Sequence, residues 1–246
     1  MSATRVRVRR DGAIVRITLD GDAQLNAVSP TVLEAFCMAL VDASDDEAAR
    51  VVVLSGVGRA FCAGADLARL PPDPALIMEC AARAVSQLVD TTIPVIAAVQ
   101  GAAAGYGVSL VAASDMVLAG ESATFSLPFG RLGLMPDGGL THLLPATLGR
   151  AFAAELAFSG RRLSAVEAAG SGLVSRVVPD AELTARVDEL AGTIAEVPRR
   201  ALTLTKQALN ASGRALLDAA LTREAAGQTE LLADPNFASR SAAWAH

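Results

Sequence analysis

A single carboxylate stands in an otherwise apolar, glycine-containing segment of this 246-residue chain. In LGLMPDGGLTHLLP, residues 132–145, Asp137 follows a proline and precedes two glycines. A carboxyl group buried among such residues has a raised pKa, because burial disfavours its charged form. Such an acid can accept a proton and return it near neutral pH. The competing interpretation is that Asp137 only caps a helix that begins at Gly138.

Two further loops are rich in small residues, and each follows an apolar strand. The first, GVGRAFCAGADLARL, covers 56–70, and the second, VQGAAAGYGVSLVAASD, covers 99–115. Main-chain N–H groups in such loops can bind an oxyanion or a phosphate, because few side chains cover them. The glycine spacing in the second loop is G-x-x-x-G-x-G, which differs from the dinucleotide fingerprint. On its own, the first loop is better explained as an ordinary strand-to-helix turn, and the second as close packing of a helix on the sheet.

Other potentially reactive side chains give weaker signals. His142 follows Asp137 at a spacing that a helix would not place on one face, so we interpret it as a residue of the helix that could begin at Gly138. Ser109 follows the second glycine loop, but no histidine base is evident for it. Asp66 and Asp115 stand where a predicted element begins or ends and are interpreted as caps.

The order of predicted elements indicates an α/β domain with a helical C-terminal region. Apolar or alternating runs predict strands, and apolar residues at helical spacing predict helices. The predicted strands cover 5–10, 13–20, 50–56, 93–101, 115–120, 123–129 and 173–179, and the predicted helices cover 29–43, 75–91, 150–160, 163–172, 183–194, 197–210 and 214–232. Strands and helices alternate in the first half of the chain, whereas the last third is helical, which favours this fold class.

The composition narrows the classes of protein and partner. The chain is 52% hydrophobic and 19% charged with a net charge of −5, so we expect no nucleic-acid partner. The basic run RVRVRR at 5–10 alternates Arg with Val and predicts an exposed edge strand. Apolar runs are too short for a membrane span, and no signal peptide is evident. Cys37, Cys62 and Cys80 lack C-x-x-C spacing, which predicts reduced thiols, a cytoplasmic location and no metal site.

Taken together, the three loops resemble those of the crotonase superfamily, the enoyl-CoA hydratase/isomerase family. The matching segments are GRAFCAGADL, VQGAAAGYGVSLVAASDMVLA and FSLPFGRLGLMPDGGLTHLLP with the helices after it, and NAVS at 26–29 matches a turn of that family. The resemblance runs from about residue 13 to about residue 232. It implies a ClpP-like spiral of ββα units over 1–190 and a helical trimerisation region over 191–246, in a homotrimer or a dimer of trimers.

The resemblance also implies an acyl-CoA thioester substrate, with no separate cofactor because CoA is part of that substrate. The main-chain N–H groups of Ala65 and Tyr106 would form an oxyanion hole that stabilises the thioester enolate. The residues that would hold the CoA portion are Ala27, Ala63, Asp66 and Leu67. The acyl pocket would be lined by residues from 70–90 and by Phe129, Leu134 and Leu140.

Two departures from the family pattern separate hydration from isomerisation. Family hydratases carry two catalytic glutamates, and this chain has Ser109 and Phe129 at those positions. The segment around Asp137 instead resembles Δ3,Δ2-enoyl-CoA isomerases and, most closely, 1,2-epoxyphenylacetyl-CoA isomerases, in which one acid follows L-G-x-x-P. The resemblance implies that Asp137 moves one proton from C2 to C4 of a 3-enoyl-CoA. A hydratase, an acyl-CoA dehalogenase or thioesterase, and a non-catalytic CoA-binding homologue remain alternatives.

Overall fold

The computed structural model describes residues 3–244, and side chains for 3–242. Within these residues the chain folds into two β-sheets with helices packed on them. The strands are β1 (Arg5–Asp11), β2 (Ile14–Asp20), β3 (Val51–Gly56), β4 (Ala60–Cys62), β5 (Val95–Val99), β6 (Ala102–Ala104), β7 (Met116–Gly120), β8 (Thr124–Ser126), β9 (Arg162–Ser164) and β10 (Arg176–Val178). The helices are α1 (Pro30–Asp45), α2 (Pro74–Asp90), α3 (Tyr106–Ala112), α4 (Leu140–Leu148), α5 (Arg150–Ser159), α6 (Ala165–Gly170), α7 (Leu183–Ala195), α8 (Arg199–Asn210), α9 (Arg214–Leu232) and α10 (Phe237–Trp244). The predicted α/β class with a helical C-terminal region is confirmed.

The larger sheet has the strand order β1-β2-β3-β5-β7-β10. Its strands are parallel except for β1, which pairs antiparallel with β2. The apolar strands β3 and β5 lie in the middle of the sheet and are covered on both faces, as their continuous Val and Ile runs predict. Strand β1 is largely exposed at the edge, which confirms the interpretation of its alternating Arg and Val residues.

The smaller sheet has the order β4-β6-β8-β9 and is built from three-residue strands. Only the run at 123–129 was predicted from the sequence, and that strand ends at Ser126 because a 3₁₀ turn begins at Pro128. Strands of this length, such as Ala-Ala-Ala in β6, are too short to show a period. Strands β4 and β6 pair in parallel, so the two glycine-containing loops that follow them emerge side by side.

Two hydrophobic clusters lie on opposite faces of the larger sheet. The main cluster includes residues of α1, α2, α3 and α4, and a smaller one joins α7 to β3 and β5. Helix α9 packs against α2 and α4 and so reaches back to the first two thirds of the chain. The predicted boundary at 190/191 falls inside α7, which continues to Ala195, and the division into two parts stays a prediction.

Local signals account for several helix ends. Ser29 accepts a hydrogen bond from the Val32 N–H at 3.4 Å, and Pro30 occupies the first turn of α1. Ser164 and Glu167 form a reciprocal capping box at the start of α6. No helix among the described residues is both long and apolar enough to cross a membrane. Cys37, Cys62 and Cys80 are buried free thiols.

Candidate active site

A cavity of about 290 Å³ lies between the two glycine-containing loops, the segment around Asp137 and the C-terminal helices. Most of the residues that the sequence predicted for a site lie on its wall, although they come from distant parts of the chain. These wall residues are Ala27, Ala63, Ala65, Asp66, Leu67, Tyr106, Phe129, Leu134 and Asp137. The folded chain therefore places the acid, the predicted amide donors and the predicted binding positions around one space.

One predicted pocket residue does not line this cavity. Leu140 is only 1% exposed and belongs to the hydrophobic core, because it opens α4 on the side of that helix that faces the protein interior. The structure therefore places Leu140 in the hydrophobic core and not on the wall of this cavity. From the predicted 70–90 segment, the residues on the cavity wall are Leu70, Ile77 and Met78. The sequence did not predict the contributions of α9 and α10, which supply Gln228, Leu232 and Ser241.

The main chain around Ala65 leaves its N–H group free. The Val28 N–H donates to the Gly64 carbonyl and the Asp66 N–H donates to the Val28 carbonyl, each at 2.8 Å. Because alternate residues of an extended strand bond on opposite sides, the Ala65 N–H points away from Val28. Among the described residues, this N–H donates to no protein acceptor.

The second amide, that of Tyr106, lies next to this loop. Tyr106 is the first residue of α3, where an N–H group has no acceptor within the helix. Gly64 has a φ of +96°, and a Cβ at this position would lie 2.8 Å from the Ala104 oxygen and 3.3 Å from the Tyr106 nitrogen. Glycine at position 64 therefore lets the two loops approach while the Tyr106 N–H stays uncovered.

The segment that carries Asp137 lies directly on α3. The Ser109 Oγ donates to the Asp137 main-chain oxygen at 2.9 Å. Gly138 has a φ of +63°, and a Cβ there would lie 2.7 Å from Ser109 Cβ and 2.8 Å from Tyr106 Cε2. Only glycine tolerates both this backbone conformation and this close approach. Ser109, which looked inert in the sequence, thus holds the acid's backbone in place.

Two polar residues of α9 hold the rest of the segment. Gln228 accepts from the Met135 N–H at 3.1 Å and donates through Nε2 to the Met135 oxygen at 2.9 Å and to Asp137 Oδ2 at 2.8 Å. One turn earlier, Glu224 accepts from the Gly139 N–H at 2.6 Å. It also accepts from the main-chain N–H and Oγ1 of Thr141, at 2.8 and 2.6 Å.

These contacts revise the cap interpretation of Asp137. Helix α4 begins at Leu140 rather than Gly138, and Glu224 binds the N–H groups at its start. The carboxyl group of Asp137 takes no part in capping, since its hydrogen-bond donor among the described residues is Gln228. The side chain of Asp137 is therefore available for another purpose.

The surroundings of Asp137 favour proton exchange near neutral pH. The residue is half-buried as a whole, but its Oδ1 is enclosed and accepts no hydrogen bond from the described part of the chain. Burial raises the pKa of Asp137 to about 7, the Gln228 N–H opposes this shift, and the charge of Glu224 adds to it. Burial and the nearby Asp137 raise the pKa of Tyr106, whose hydroxyl donates to the Ala81 oxygen at 2.7 Å.

The other candidate side chains have different surroundings. Asp66 lies on the cavity wall, but its carboxylate accepts a hydrogen bond from Arg69 Nη1 at 2.8 Å. His142 lies outside this cavity, in a separate surface groove beside Asn210 and Gly213. Asp115 accepts from the Val95 N–H and forms an ion pair with the buried Lys206, and so has a structural role. Among the described residues, no cluster of three or more metal-binding side chains is present.

Comparisons with known proteins agree on one family. The sequence matches the family model described as enoyl-CoA hydratase/isomerase over residues 9–241. A probable enoyl-CoA hydratase of Rhodobacter capsulatus is 36% identical over 242 residues, covering 96% of this chain and 93% of that protein. The 1,2-epoxyphenylacetyl-CoA isomerase of Escherichia coli is 36% identical over 219 residues, covering 86% and 84%. The crystal structure of an enoyl-CoA hydratase from Mycobacterium avium subsp. paratuberculosis matches with a TM-score of 0.92 at 38% identity, covering 96% and 97%.

Proposed function

Because the chain belongs to the enoyl-CoA hydratase/isomerase family and has its crotonase fold, we propose that it moves a carbon–carbon double bond of an acyl-CoA thioester. The double bond passes from the 3,4 to the 2,3 position, and Asp137 carries the proton. The observation on which this proposal rests is that Asp137 lies on one cavity wall with Ala65 and Tyr106, and burial raises its pKa to about 7. Both forms of the acid are then populated near neutral pH, so one group can accept and return a proton.

The reaction needs two proton transfers and no other reactant. Ionised Asp137 takes a proton from C2, the C–H bond breaks, and its electron pair moves into the thioester carbonyl to give a dienolate. The N–H groups of Ala65 and Tyr106 donate to the resulting oxyanion, and one such donor is typically worth about 3–4 kcal/mol of barrier. The dienolate then re-forms the carbonyl and takes the proton from Asp137 at C4, which leaves the double bond between C2 and C3.

Two side chains favour isomerisation over hydration. This chain has Ser109 and Phe129 at the positions where family hydratases carry glutamates. The Ser109 hydroxyl donates to the Asp137 main-chain oxygen, and Phe129 lines the cavity with an aromatic side chain. Asp66 is the other carboxylate among the described wall residues, and it is held by Arg69. A second free acid that could activate water opposite Asp137 is therefore missing from this set of described wall residues.

The remaining wall positions support a division of the cavity into two parts. Ala27, Ala63, Asp66 and Leu67 lie on the wall beside the Ala65 amide and are proposed to hold the CoA portion. Phe129 and Leu134 are proposed to contact the acyl group, since they are apolar and lie on the wall with Asp137.

Assembly as a homotrimer or a dimer of trimers stays a prediction, which analytical ultracentrifugation tests directly.

Hydration is the second candidate, because the Rhodobacter capsulatus relative carries the name of a hydratase. The test incubates purified protein with a 3-enoyl-CoA and, separately, with a 2-enoyl-CoA, separates the isomers by chromatography and determines the mass of each product. Isomerisation leaves the mass unchanged, whereas hydration adds one water. A 3-enoyl-CoA deuterated at C2 adds a second readout, because a single proton carrier delivers part of the deuterium to C4.

We expect isomerisation by the wild type, partial transfer of deuterium to C4, and loss of both in Asp137→Asn. Asp66→Asn is the matched control, because it changes the other wall aspartate in the same way. It should raise KM for the thioester and leave deuterium transfer intact. Addition of water that survives in Asp137→Asn would reject the isomerase proposal, and CoA binding without any turnover would identify a non-catalytic homologue.

A further inference from the structure

We propose that Gln228 is a positioning residue that orients the Asp137 carboxyl group and favours its ionised form. This inference rests on the proposed role of Asp137 as the proton carrier. Gln228 is only 1% exposed, and its side-chain amide lies between the Met135 main chain and the Asp137 carboxyl group. No residue of α9 was predicted to belong to the site.

The orientation of the Gln228 amide is fixed by its two bonds to Met135. Its Oε1 accepts from the Met135 N–H at 3.1 Å, and its Nε2 donates to the Met135 oxygen at 2.9 Å. If the amide were rotated by half a turn, its NH₂ group would face the Met135 N–H, and its oxygen would face the Met135 carbonyl. Both contacts would then be repulsive, so the NH₂ group must remain on the side of Asp137.

This fixed donor makes the two oxygens of Asp137 unequal. Oδ2 accepts the Gln228 N–H at 2.8 Å, whereas Oδ1 is buried and accepts no hydrogen bond from the described residues. A hydrogen bond donated to a carboxylate favours its ionised form. Gln228 thereby fixes the orientation of the carboxyl group, with Oδ2 held by the amide and Oδ1 without a donor among the described residues.

The titratable groups around Asp137 belong to the two helices that pack on its segment. Glu224 of α9 raises the pKa of Asp137 through its charge, and it accepts three hydrogen bonds from Gly139 and Thr141. Tyr106 of α3 interacts electrostatically with Asp137, and its hydroxyl donates to Ala81. Neither group donates a hydrogen bond to Asp137, so the Gln228 amide has no substitute among them.

The test measures the pH dependence of kcat/KM for isomerisation in the wild type, Gln228→Met and Gln228→Glu. Ionised Asp137 starts the reaction, so kcat/KM should rise with pH around a midpoint of about 7 in the wild type. Gln228→Met removes the N–H donor that favours the ionised form, and Gln228→Glu replaces it with a second carboxyl group, whose like charge also disfavours the ionised form. We expect the midpoint to move upward by about one pH unit, a tenfold change in the ionisation constant of Asp137. Gln228→Glu keeps the size of the side chain, so it is the variant to measure if Gln228→Met does not fold.

Gln100→Met is the matched control. The Gln100 side chain also donates hydrogen bonds to main-chain oxygens, those of Gly56 and Ala60, but it does not bond to Asp137. Its midpoint should stay at the wild-type value. An unchanged midpoint in folded Gln228→Met and Gln228→Glu would overturn the inference, even if kcat fell. So would an equal shift in the control.

An infrared titration separates this inference from the proposed function. The carboxyl band of Asp137 is assigned by subtraction of the Asp137→Asn spectrum, and its midpoint is then followed in the wild type and both Gln228 variants. A shifted infrared midpoint without isomerisation would reject the isomerase proposal and uphold the control of Asp137 by Gln228. Isomerisation with identical infrared midpoints would uphold the isomerase and reject the role of Gln228.

Discussion

Two carboxyl groups meet at the same short segment, since Glu224 binds it and Asp137 belongs to it, yet their surroundings differ. Glu224 is fully buried and accepts three hydrogen bonds at 2.6–2.8 Å, from Gly139 and from two atoms of Thr141. Asp137 accepts one side-chain hydrogen bond, from Gln228, and its Oδ1 has no donor among the described residues. Burial raises the pKa of both groups, and the three donors to Glu224 oppose that rise.

The difference shows that burial alone does not make an acid reactive. Donors to both oxygens stabilise a carboxylate and fix it in place, which suits the task of binding the first N–H groups of α4. An oxygen without a donor remains free to accept a proton, and its energetic cost is tolerated where function requires it. The segment thus combines a structural acid from α9 with an acid of its own that has a single side-chain donor, Gln228, among the described residues.

Changing each acid to its amide tests this comparison most strongly. Asp137→Asn should lower kcat/KM for isomerisation by roughly 10²- to 10⁴-fold, the usual contribution of a general acid–base group. Glu224→Gln should lower it far less, because Glu224 does not line the described cavity wall. Steady-state kinetics with a 3-enoyl-CoA gives both values. Equal losses in the two variants would mean that the distinction between the acids is wrong.

The pH dependence of stability provides a second measure of the same difference. The folded-state pKa of Asp137 is about 7, above the ordinary value of 3.8, so the folded protein binds a proton that the unfolded chain has released. Its stabilising contribution is therefore present below about pH 4 and is lost as the pH rises to about 7. Each pKa unit corresponds to about 1.4 kcal/mol, which gives a loss of up to about 4 kcal/mol over this range.

Urea unfolding of the wild type and Asp137→Asn between pH 4 and pH 8 isolates this contribution, because Asn does not titrate. The free energy of unfolding of the wild type should fall relative to that of the variant as the pH increases. A constant difference between the two proteins would show that the pKa of Asp137 is not raised in the folded state.

Glu224→Gln should lower the free energy of unfolding, with little effect on the rate of isomerisation. A glutamine oxygen can replace the acceptor for Thr141, but its NH₂ group then faces the Gly139 N–H. A buried donor left without a partner costs about 1–3 kcal/mol. Urea unfolding at a fixed pH of 8 gives the value, and Glu230→Gln on the same helix is the control. A variant as stable as the wild type would contradict the structural role of Glu224.

The sequence predicted Asp137 and the glycine-containing loops because their signals are local. An acid among apolar residues and glycines after apolar strands can both be recognised within about 15 residues. The longer helices, such as α1 and α9, and the longer strands were predicted for the same reason, since their periodicity is visible in the sequence. Three-residue strands such as β4 and β6 carry no such period and were missed.

The partners of Asp137 could not be predicted in the same way. Gln228 lies 91 residues from Asp137 in the chain, and only the packing of α9 against α2 and α4 brings them together. One sequence signal does exist, because Glu224 and Gln228 continue the buried stripe of Leu217 and Leu221 along α9. Polar residues on such a stripe indicate a buried hydrogen-bonding role, although they do not identify the partner.

Ser109→Ala gives the smallest expected effect and the finest test of the comparison. The Ser109 Oγ bonds to the main-chain oxygen of Asp137 and not to its carboxyl group. Removal of this buried bond should lower the free energy of unfolding by about 1 kcal/mol and leave the pH midpoint of kcat/KM in place. Ser114→Ala, just after α3, is the control, because the Ser114 Oγ donates to the Leu110 oxygen and not to the segment around Asp137. A shifted midpoint in Ser109→Ala would mean that the backbone of Asp137, and not only its Gln228 donor, sets its protonation.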